Sequence, residues 1–203
     1  MSGPGALERV GQVVGAVAAQ ALRDRGLRRV ALLDDGGPEA ALVARILASA
    51  LGAEAVVRVR GDAAEGAPHR MAEETRRFRA RLVDDALAAS PASKTVLLLG
   101  GELPPEPLLP LGDLWAAEVQ ALAGSWSAPA EIVRLAEAAG GIAILDAALA
   151  RLLDARDPAG LDLLPGAAAA EARRMLAAGA ASRRWPRLVP KLGVRTLGAD
   201  LFE

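Results

Sequence analysis

Apolar positions recur at helical spacing through the first part of the chain, and short apolar runs separate the predicted helices. A first helix that ends at Gly26 is predicted by apolar residues three or four positions apart, namely Leu7, Val10, Val14, Val17 and Ala21. Residues 29–34 (RVALLD) form the kind of apolar run that a buried parallel strand shows. Pro38 suits the first position of a second helix. Residues 55–60 (AVVRVR) then predict a second strand.

The alternation continues through the rest of the chain. Residues 71–86 predict a third helix that closes near Ser90, and residues 95–100 (TVLLLG) predict a third strand. After a proline-rich link, the periodicity predicts helices over residues 111–123, 130–139, 142–153 and 167–178. Alternating helices and strands are typical of an open parallel sheet, in which ligands bind beyond the carboxyl ends of the strands. We expect one domain over residues 1–203, with an α/β core over 1–103 and a mainly helical part over 111–203.

Composition narrows the classes of function. The chain has 203 residues, 52% of them hydrophobic, with a formal net charge of -1 and no cysteine. A near-neutral charge, with only three Trp and two Phe, argues against binding to nucleic acid or to a membrane surface. The absence of cysteine excludes disulfides, thiolate nucleophiles and cysteine-ligated metals. No signal-peptide pattern and no long apolar run occurs, so the sequence predicts a cytoplasmic location.

The turn after the first strand is the most informative segment. Gly36 and Gly37 stand between a buried strand and a helix N-terminus, where backbone N–H groups can cradle an anion. Asp34, Asp35 and Glu39 surround these glycines. Two like charges about 4 Å apart repel by roughly 4 kcal/mol at an effective dielectric constant of about 20. Two interpretations stay open: a self-capped turn that needs no ligand, or a phosphate site in which magnesium reverses the repulsion.

The same segment resembles the pyrophosphate loop, SGGxDS, of the superfamily of NAD synthetase and asparagine synthetase (the N-type ATP pyrophosphatases, or PP-loop proteins). Gly36 and Gly37 match the two glycines of that loop. Residues 110–119 (PLGDLWAAEV) are similar to the stretch PIGDLYKTQV of ammonia-dependent NAD synthetases, and residues 128–132 (APAEI) resemble the VPEEI that follows it. Residues 183–200 resemble the family's closing KRxxPP segment. The resemblance to ammonia-dependent NAD synthetases therefore covers nearly the whole chain.

This resemblance implies a fold, an assembly and an activity. The implied fold is a Rossmann-like three-layer α/β/α sandwich with a reduced parallel sheet, of the adenine-nucleotide α-hydrolase type, and the implied assembly is a homodimer. The implied reaction is adenylation of deamido-NAD by ATP with magnesium, followed by attack of ammonia. Pyrophosphate then has to be held by the loop, by magnesium and by lysines.

The sequence departs from the family at the positions that carry this chemistry. Asp35 and Ala40 stand where the loop has its two serines, and Ala116 replaces the lysine of LYK. The family's GTGNKSE tract, whose glutamate helps to hold magnesium, is matched in residues 99–106 (LGGELPPE) only by Gly100 and Glu106.

Two hypotheses about function follow. The first is a degenerate, catalytically inactive homologue (a pseudoenzyme) that acts through dimerisation, a protein partner or nucleotide binding, with Gly36, Gly37 and Glu39 as the remnant of the nucleotide loop. It needs no cofactor and has no assigned catalytic residue. The alternative is an active ATP-dependent amide ligase of NAD biosynthesis, which would use ATP and Mg²⁺ with Glu39 and Glu106 as the metal ligands.

A basic segment lies near the end of the chain. Between residues 172 and 199 there are seven basic residues and no acid. Such a local field suits an anionic ligand or an acidic partner surface. Arg183, Arg184 and Lys191 are the candidate anion-binding residues, and a solvated basic tail is the alternative interpretation.

Overall fold

The computed structural model describes residues 4–60, 86–100, 108–179 and 188–192. Over its first part the elements follow one another in this order: helix α1 (Pro4–Arg25), strand β1 (Arg29–Asp34), helix α2 (Pro38–Leu51), strand β2 (Val56–Arg60), strand β3 (Ala86–Ala89) and helix α3 (Lys94–Leu99). The second part is helical: α4 (Ala116–Ala123), α5 (Ala130–Ala138), α6 (Ile142–Leu153), a 3-10 segment (Pro158–Leu163) and α7 (Gly166–Gly179).

The strands form a small parallel sheet in the order β2-β1-β3. The central strand β1 pairs with β2 on one side, where Leu32 faces Arg58, and with β3 on the other, where Leu32 faces Ala89. Residues 30–32 of β1 are fully buried, as expected for a strand that is covered on both faces. The chain is therefore a mixed α/β protein, and its described residues form a three-stranded parallel sheet. Leu108 continues the sheet beside Ala89, and Leu188 lies beside Leu108.

Most of the predicted elements are confirmed, and three predictions are wrong. Residues 95–100 were expected to form the third strand, but they lie in α3 and at its C-cap. The end of the predicted third helix is wrong, because Ala86–Ala89 forms β3, while residues 71–85 of that prediction lie outside the described part. The helix predicted over 111–123 begins only at Ala116. A short apolar run does not distinguish a buried helical turn from a strand, which explains the first error.

Two hydrophobic clusters make up the core. The first, called here the sheet cluster, consists of the buried apolar residues of α1, β1, α2 and β3 together with Leu108, Leu111, Leu114 and Val119. The second, the helical cluster, consists of the buried apolar residues of α3, α5, α6, the 3-10 segment and α7 together with Trp115. The two clusters are not consecutive in sequence, because α3, which belongs to the helical cluster, comes before Leu108, which belongs to the sheet cluster. The predicted division of the domain near residue 103 stays a prediction.

Residues 110–116 join the two clusters. Every residue of this stretch is buried. Leu114 packs in the sheet cluster and the adjacent Trp115 packs in the helical cluster. A side chain at Gly112 would meet the Cβ of Leu109 at 2.9 Å and the Cδ1 of Leu97 at 3.2 Å, so the turn is packed closely around this glycine. Within the described ranges, no helix is long and apolar enough to cross a membrane.

Candidate functional site

The sheet topology points to one edge as the candidate site. In the strand order β2-β1-β3, β2 lies on one side of β1, and the next strand along the chain, β3, lies on the other side. The strand order therefore reverses between the carboxyl ends of β1 and β3. Ligands of open α/β sheets bind in the crevice at such a point. The loop over residues 34–39 leaves β1 at this edge, and residues 90–93 leave β3 at the same edge.

Two backbone N–H groups of the first loop, those of Gly36 and Gly37, donate to the loop's own carboxylates. The N–H of Gly36 donates to Oδ1 of Asp34 at 3.1 Å, and the N–H of Gly37 donates to Oδ1 of Asp35 at 2.8 Å. The other oxygen of Asp34 lies 2.9 Å from the guanidinium of Arg58 on β2. Gly36 has a φ of +80°, a conformation that side chains other than glycine adopt with strain. The glycines thus hold the loop in a shape that turns its amides towards the preceding acids.

Glu39 is buried and both of its carboxylate oxygens accept hydrogen bonds. It is the second residue of α2 and only 5% exposed. The N–H of Ser127 donates to Oε1 at 2.8 Å, and the Ser127 hydroxyl donates to Oε2 at 2.6 Å. A carboxylate at a helix N-terminus is further stabilised by the helix dipole. The charge of Glu39 is therefore compensated within the chain.

Ser127 lies directly against Gly37. A Cβ at Gly37 would lie 2.5 Å from Oγ of Ser127 and 3.0 Å from Oδ1 of Asp35. The first of these contacts is too short for a carbon atom, so a side chain at residue 37 would require the Ser127 hydroxyl to move. The Ser127 hydroxyl thus occupies the space beside Gly37 that a side chain at this position would need.

The other predicted site residues are not brought together at this edge by the described structure. Glu106, Arg183 and Arg184 lie outside the described residues, and Lys191 is exposed. Lys191 precedes Leu192, whose N–H donates to Oδ2 of the buried Asp113 at 2.8 Å. In the part of the chain that the structure describes, no group of three or more His, Asp or Glu side chains is placed to hold a metal ion.

An ion pair with a buried ammonium and a partly exposed carboxylate lies just beyond the carboxyl end of β3. The side chain of Lys94, the first residue of α3, has no exposed surface. Its ammonium lies 2.7 Å from Oδ1 of Asp154 and 4.4 Å from the centre of the Trp115 ring. A carboxylate and an aromatic face both stabilise a buried cation. Lys94 is therefore held inside the helical cluster rather than presented to a ligand.

A second buried carboxylate holds the start of α4. Asp146 on α6 accepts a hydrogen bond from the Thr95 hydroxyl at 2.6 Å and from the N–H of Ala117 at 2.8 Å. Oγ1 of Thr95 in turn accepts from the N–H of Ala116 at 3.0 Å. Burial raises the pKa of Asp146 to about 6, while the hydrogen bonds from Thr95 and Ala117 oppose that rise. Asp146 and Thr95 together cap α4 from two other helices.

Several of these residues carry no signal in the sequence. Ser127 is 88 positions away from Glu39, and nothing in its neighbourhood marks it as a partner. Thr95 is the first residue of the strand predicted over 95–100, and Lys94 lies just before that strand. The signal that could have placed both in a helix is Ser93, a common residue at the position before a helix. A comparison with models of known protein families gives no match. A comparison with curated proteins gives none either.

Proposed function

We propose that this chain is a non-catalytic relative of the ammonia-dependent NAD synthetases, a cytoplasmic homodimer with a Rossmann-like three-layer α/β/α fold. It would bind a partner or a nucleotide without turnover. One observation carries the proposal: the N–H groups of Gly36 and Gly37 already donate to Asp34 and Asp35. These two hydrogen bonds support the first of the two interpretations of the loop, a self-capped turn.

The energetic argument concerns pyrophosphate. To occupy the loop, a phosphate has to displace two carboxylates from their N–H donors, and a hydrogen bond that water can replace contributes about 0.5–1.5 kcal/mol. The loss of two such bonds lowers the affinity roughly 5- to 150-fold. The displaced carboxylates would also repel the phosphate. This loop is therefore poorly suited to hold a departing pyrophosphate.

The burial of Lys94 adds support. Lys94 is one of two lysines in the chain and begins the helix after β3, and the implied reaction needs lysines to hold pyrophosphate. Its ammonium is paired with Asp154 and covered by Trp115. It would have to leave both partners to reach a phosphate. A structural use of this lysine agrees with a chain that has lost the reaction.

The test is an activity measurement with defined substrates. The purified chain is incubated with ATP, magnesium, deamido-NAD and ammonia, and we expect pyrophosphate release no faster than in a control without protein. Calorimetry with ATP, AMP and NAD then separates nucleotide binding from a role that needs only a protein partner. Magnesium-dependent release that Glu39→Ala and Glu106→Ala abolish, and that the surface variant Glu137→Ala retains, would instead establish the ligase alternative.

A further inference from the structure

We propose that the turn between α1 and β1 is a docking surface for an acidic segment of another protein. The surface consists of the side chains of Arg25, Arg28 and Arg29, called here the arginine turn. This inference rests on the proposed function, because it names the kind of partner through which a non-catalytic chain would act. The surface itself is separate from the glycine loop and can be tested without any nucleotide.

Positive charge is concentrated at this turn. Residues 23–29 (RDRGLRR) contain four arginines and one acid, in a chain whose formal net charge is -1. All four arginines are exposed. The guanidinium of Arg23 donates to Oε1 of Gln20 at 2.6 Å, and Nε2 of Gln20 donates to Oδ1 of Asp24 at 2.5 Å. The one acid of the segment is therefore engaged on α1, away from the three arginines of the arginine turn.

The arginine turn lacks the internal partners that other surface arginines have. Four exposed arginines of the described chain form ion pairs with its own acids, namely Arg58, Arg151, Arg173 and Arg174. Among the residues that the structure describes, no acid forms such a pair with the arginine turn. Guanidinium groups bind carboxylates through two parallel hydrogen bonds, and those of the arginine turn are available for the carboxylates of a partner.

The backbone holds the arginine turn in one shape. Gly26 has a φ of +63°, its N–H donates to the carbonyl of Arg23 at 3.1 Å, and the N–H of Leu27 donates to the carbonyl of Leu22 at 2.9 Å. This pair of hydrogen bonds is the Schellman motif, and both leucines pack in the sheet cluster. Two of the last carbonyls of α1 are thus satisfied without the arginines. A preformed backbone lowers the entropic cost of binding a partner.

The chemistry of the turn favours carboxylates over other anions. The end of α1 presents carbonyl groups rather than N–H groups, so a compact phosphate finds no backbone cradle here. Domains that bind nucleic acid carry a large basic excess, whereas the net charge of this chain is -1. Among the described residues, the large exposed apolar side chains are Val13, Ile144 and Leu163. None of them belongs to the turn, so it has no apolar group to insert into a membrane.

The arginine turn lies at the opposite edge of the sheet from the candidate site. Arg29 is the first residue of β1 and Asp34 is the last. At about 3.3 Å per residue, these two residues are about 17 Å apart. A partner on the arginine turn therefore leaves the loop over residues 34–39 accessible, and the two kinds of binding can be measured separately.

Fluorescence anisotropy with a labelled decaglutamate peptide tests the surface. The full chain is titrated at about 50 mM salt, where exposed charges are weakly screened. The test variant combines Arg25→Gln, Arg28→Gln and Arg29→Gln. The matched control removes the same charge elsewhere on the described surface, at three exposed arginines, and combines Arg9→Gln, Arg45→Gln and Arg134→Gln. We expect the Kd to rise roughly tenfold in the test variant and to stay within about twofold in the control.

The wild-type affinity should also fall as salt is added, and a decaglutamine peptide should not bind. Circular dichroism verifies that each variant is folded. Absence of decaglutamate binding by the wild type, or equal weakening in the test and control variants, would overturn the surface. Loss of binding in a combined Arg183→Gln and Arg184→Gln variant, with full affinity in the test variant, would overturn it in favour of the basic segment near the end of the chain.

The same titration with a DNA duplex and with phosphatidylserine vesicles distinguishes the classes of partner. Tighter binding of either one than of decaglutamate at equal salt, lost in the test variant, would overturn the acidic protein segment as the partner. Turnover of ATP by the wild type would refute the proposed function and leave the peptide result standing.

Discussion

The loop over residues 34–39, which follows β1, and the interior of the helical cluster compensate their polar groups in different ways. In the loop, Asp34 and Asp35 each accept a hydrogen bond from a backbone N–H two residues further along the chain. In the helical cluster, Lys94 is paired with Asp154 and Thr95 with Asp146, across 60 and 51 residues. The loop can keep its shape with few other contacts, whereas the buried pairs exist only when several helices are packed. Substitutions should therefore cost more stability in the helical cluster.

Removing the counter-charge of Lys94 should have the largest effect. Asp154→Asn leaves an ammonium with no exposed surface and no negative partner. Breaking a buried pair in this way costs about 3–5 kcal/mol of unfolding free energy. Urea unfolding at pH 7 measures this loss of unfolding free energy. Asp162→Asn, which breaks the exposed ion pair with Arg173, is the matched control and should change little.

The reverse substitution sharpens this test. Lys94→Met retains an apolar stem against Trp115 and leaves the negative charge on Asp154, whose side chain is 20% exposed and can be hydrated. We expect a smaller loss of stability than for Asp154→Asn. Equal losses would show that the attraction between the two charges, rather than the burial of an unpaired ammonium, determines the loss of stability.

The second prediction concerns the pH dependence of stability. The pKa of Asp146 is raised by burial from 3.8 to about 6 in the folded protein. Between these two values the folded state holds a proton that the unfolded state releases, so this group favours folding below about pH 4 and that contribution is lost as the pH rises through 6.

Asp146→Asn removes this contribution, and a shift of about two pKa units corresponds to about 3 kcal/mol. We therefore expect the unfolding free energy of the variant, relative to the wild type, to rise by about that amount between pH 4 and pH 8. Paired urea titrations at pH 4, 6 and 8 measure the difference. A difference that does not vary with pH would contradict the buried, raised-pKa state of Asp146.

The smallest loss of stability is expected in the loop over residues 34–39. Asp35→Ala removes the acceptor for the Gly37 N–H, but this hydrogen bond is exposed and water can replace it. The loss should be about 1 kcal/mol or less by urea unfolding. Asp35→Asn retains an acceptor oxygen at the same place and should lie closer to the wild type. A loss as large as that of Asp154→Asn would remove the contrast between the two regions.

The parts of the fold that local sequence determines could be predicted. The apolar run of β1, the proline that begins α2 and the spacing of apolar residues in α6 each need only neighbouring residues, and all three elements are confirmed. The run over residues 95–100 was assigned to the wrong element, because an apolar sequence of that length fits either a strand or a buried turn of helix.

The candidate site divides in the same way. The acids around Gly36 and Gly37 suggested a self-capped turn, since the acceptors and donors are neighbours in sequence. Ser127 as the partner of Glu39, and Asp154 as the partner of Lys94, could not be predicted, because these pairs are made by packing between distant segments. The pattern of neighbouring residues does not indicate which helices pack against each other.

The burial of residues 110–116 limits the substitutions that this stretch accepts. It carries much of the resemblance to NAD synthetases, and Gly112 has no room for a side chain, because a Cβ there would lie 2.9 Å from Leu109. Asp113 is fixed by the amide of Leu192. The packing of the interior therefore calls for these residues whatever the chain binds, and a likeness confined to this stretch reports on packing rather than on a reaction.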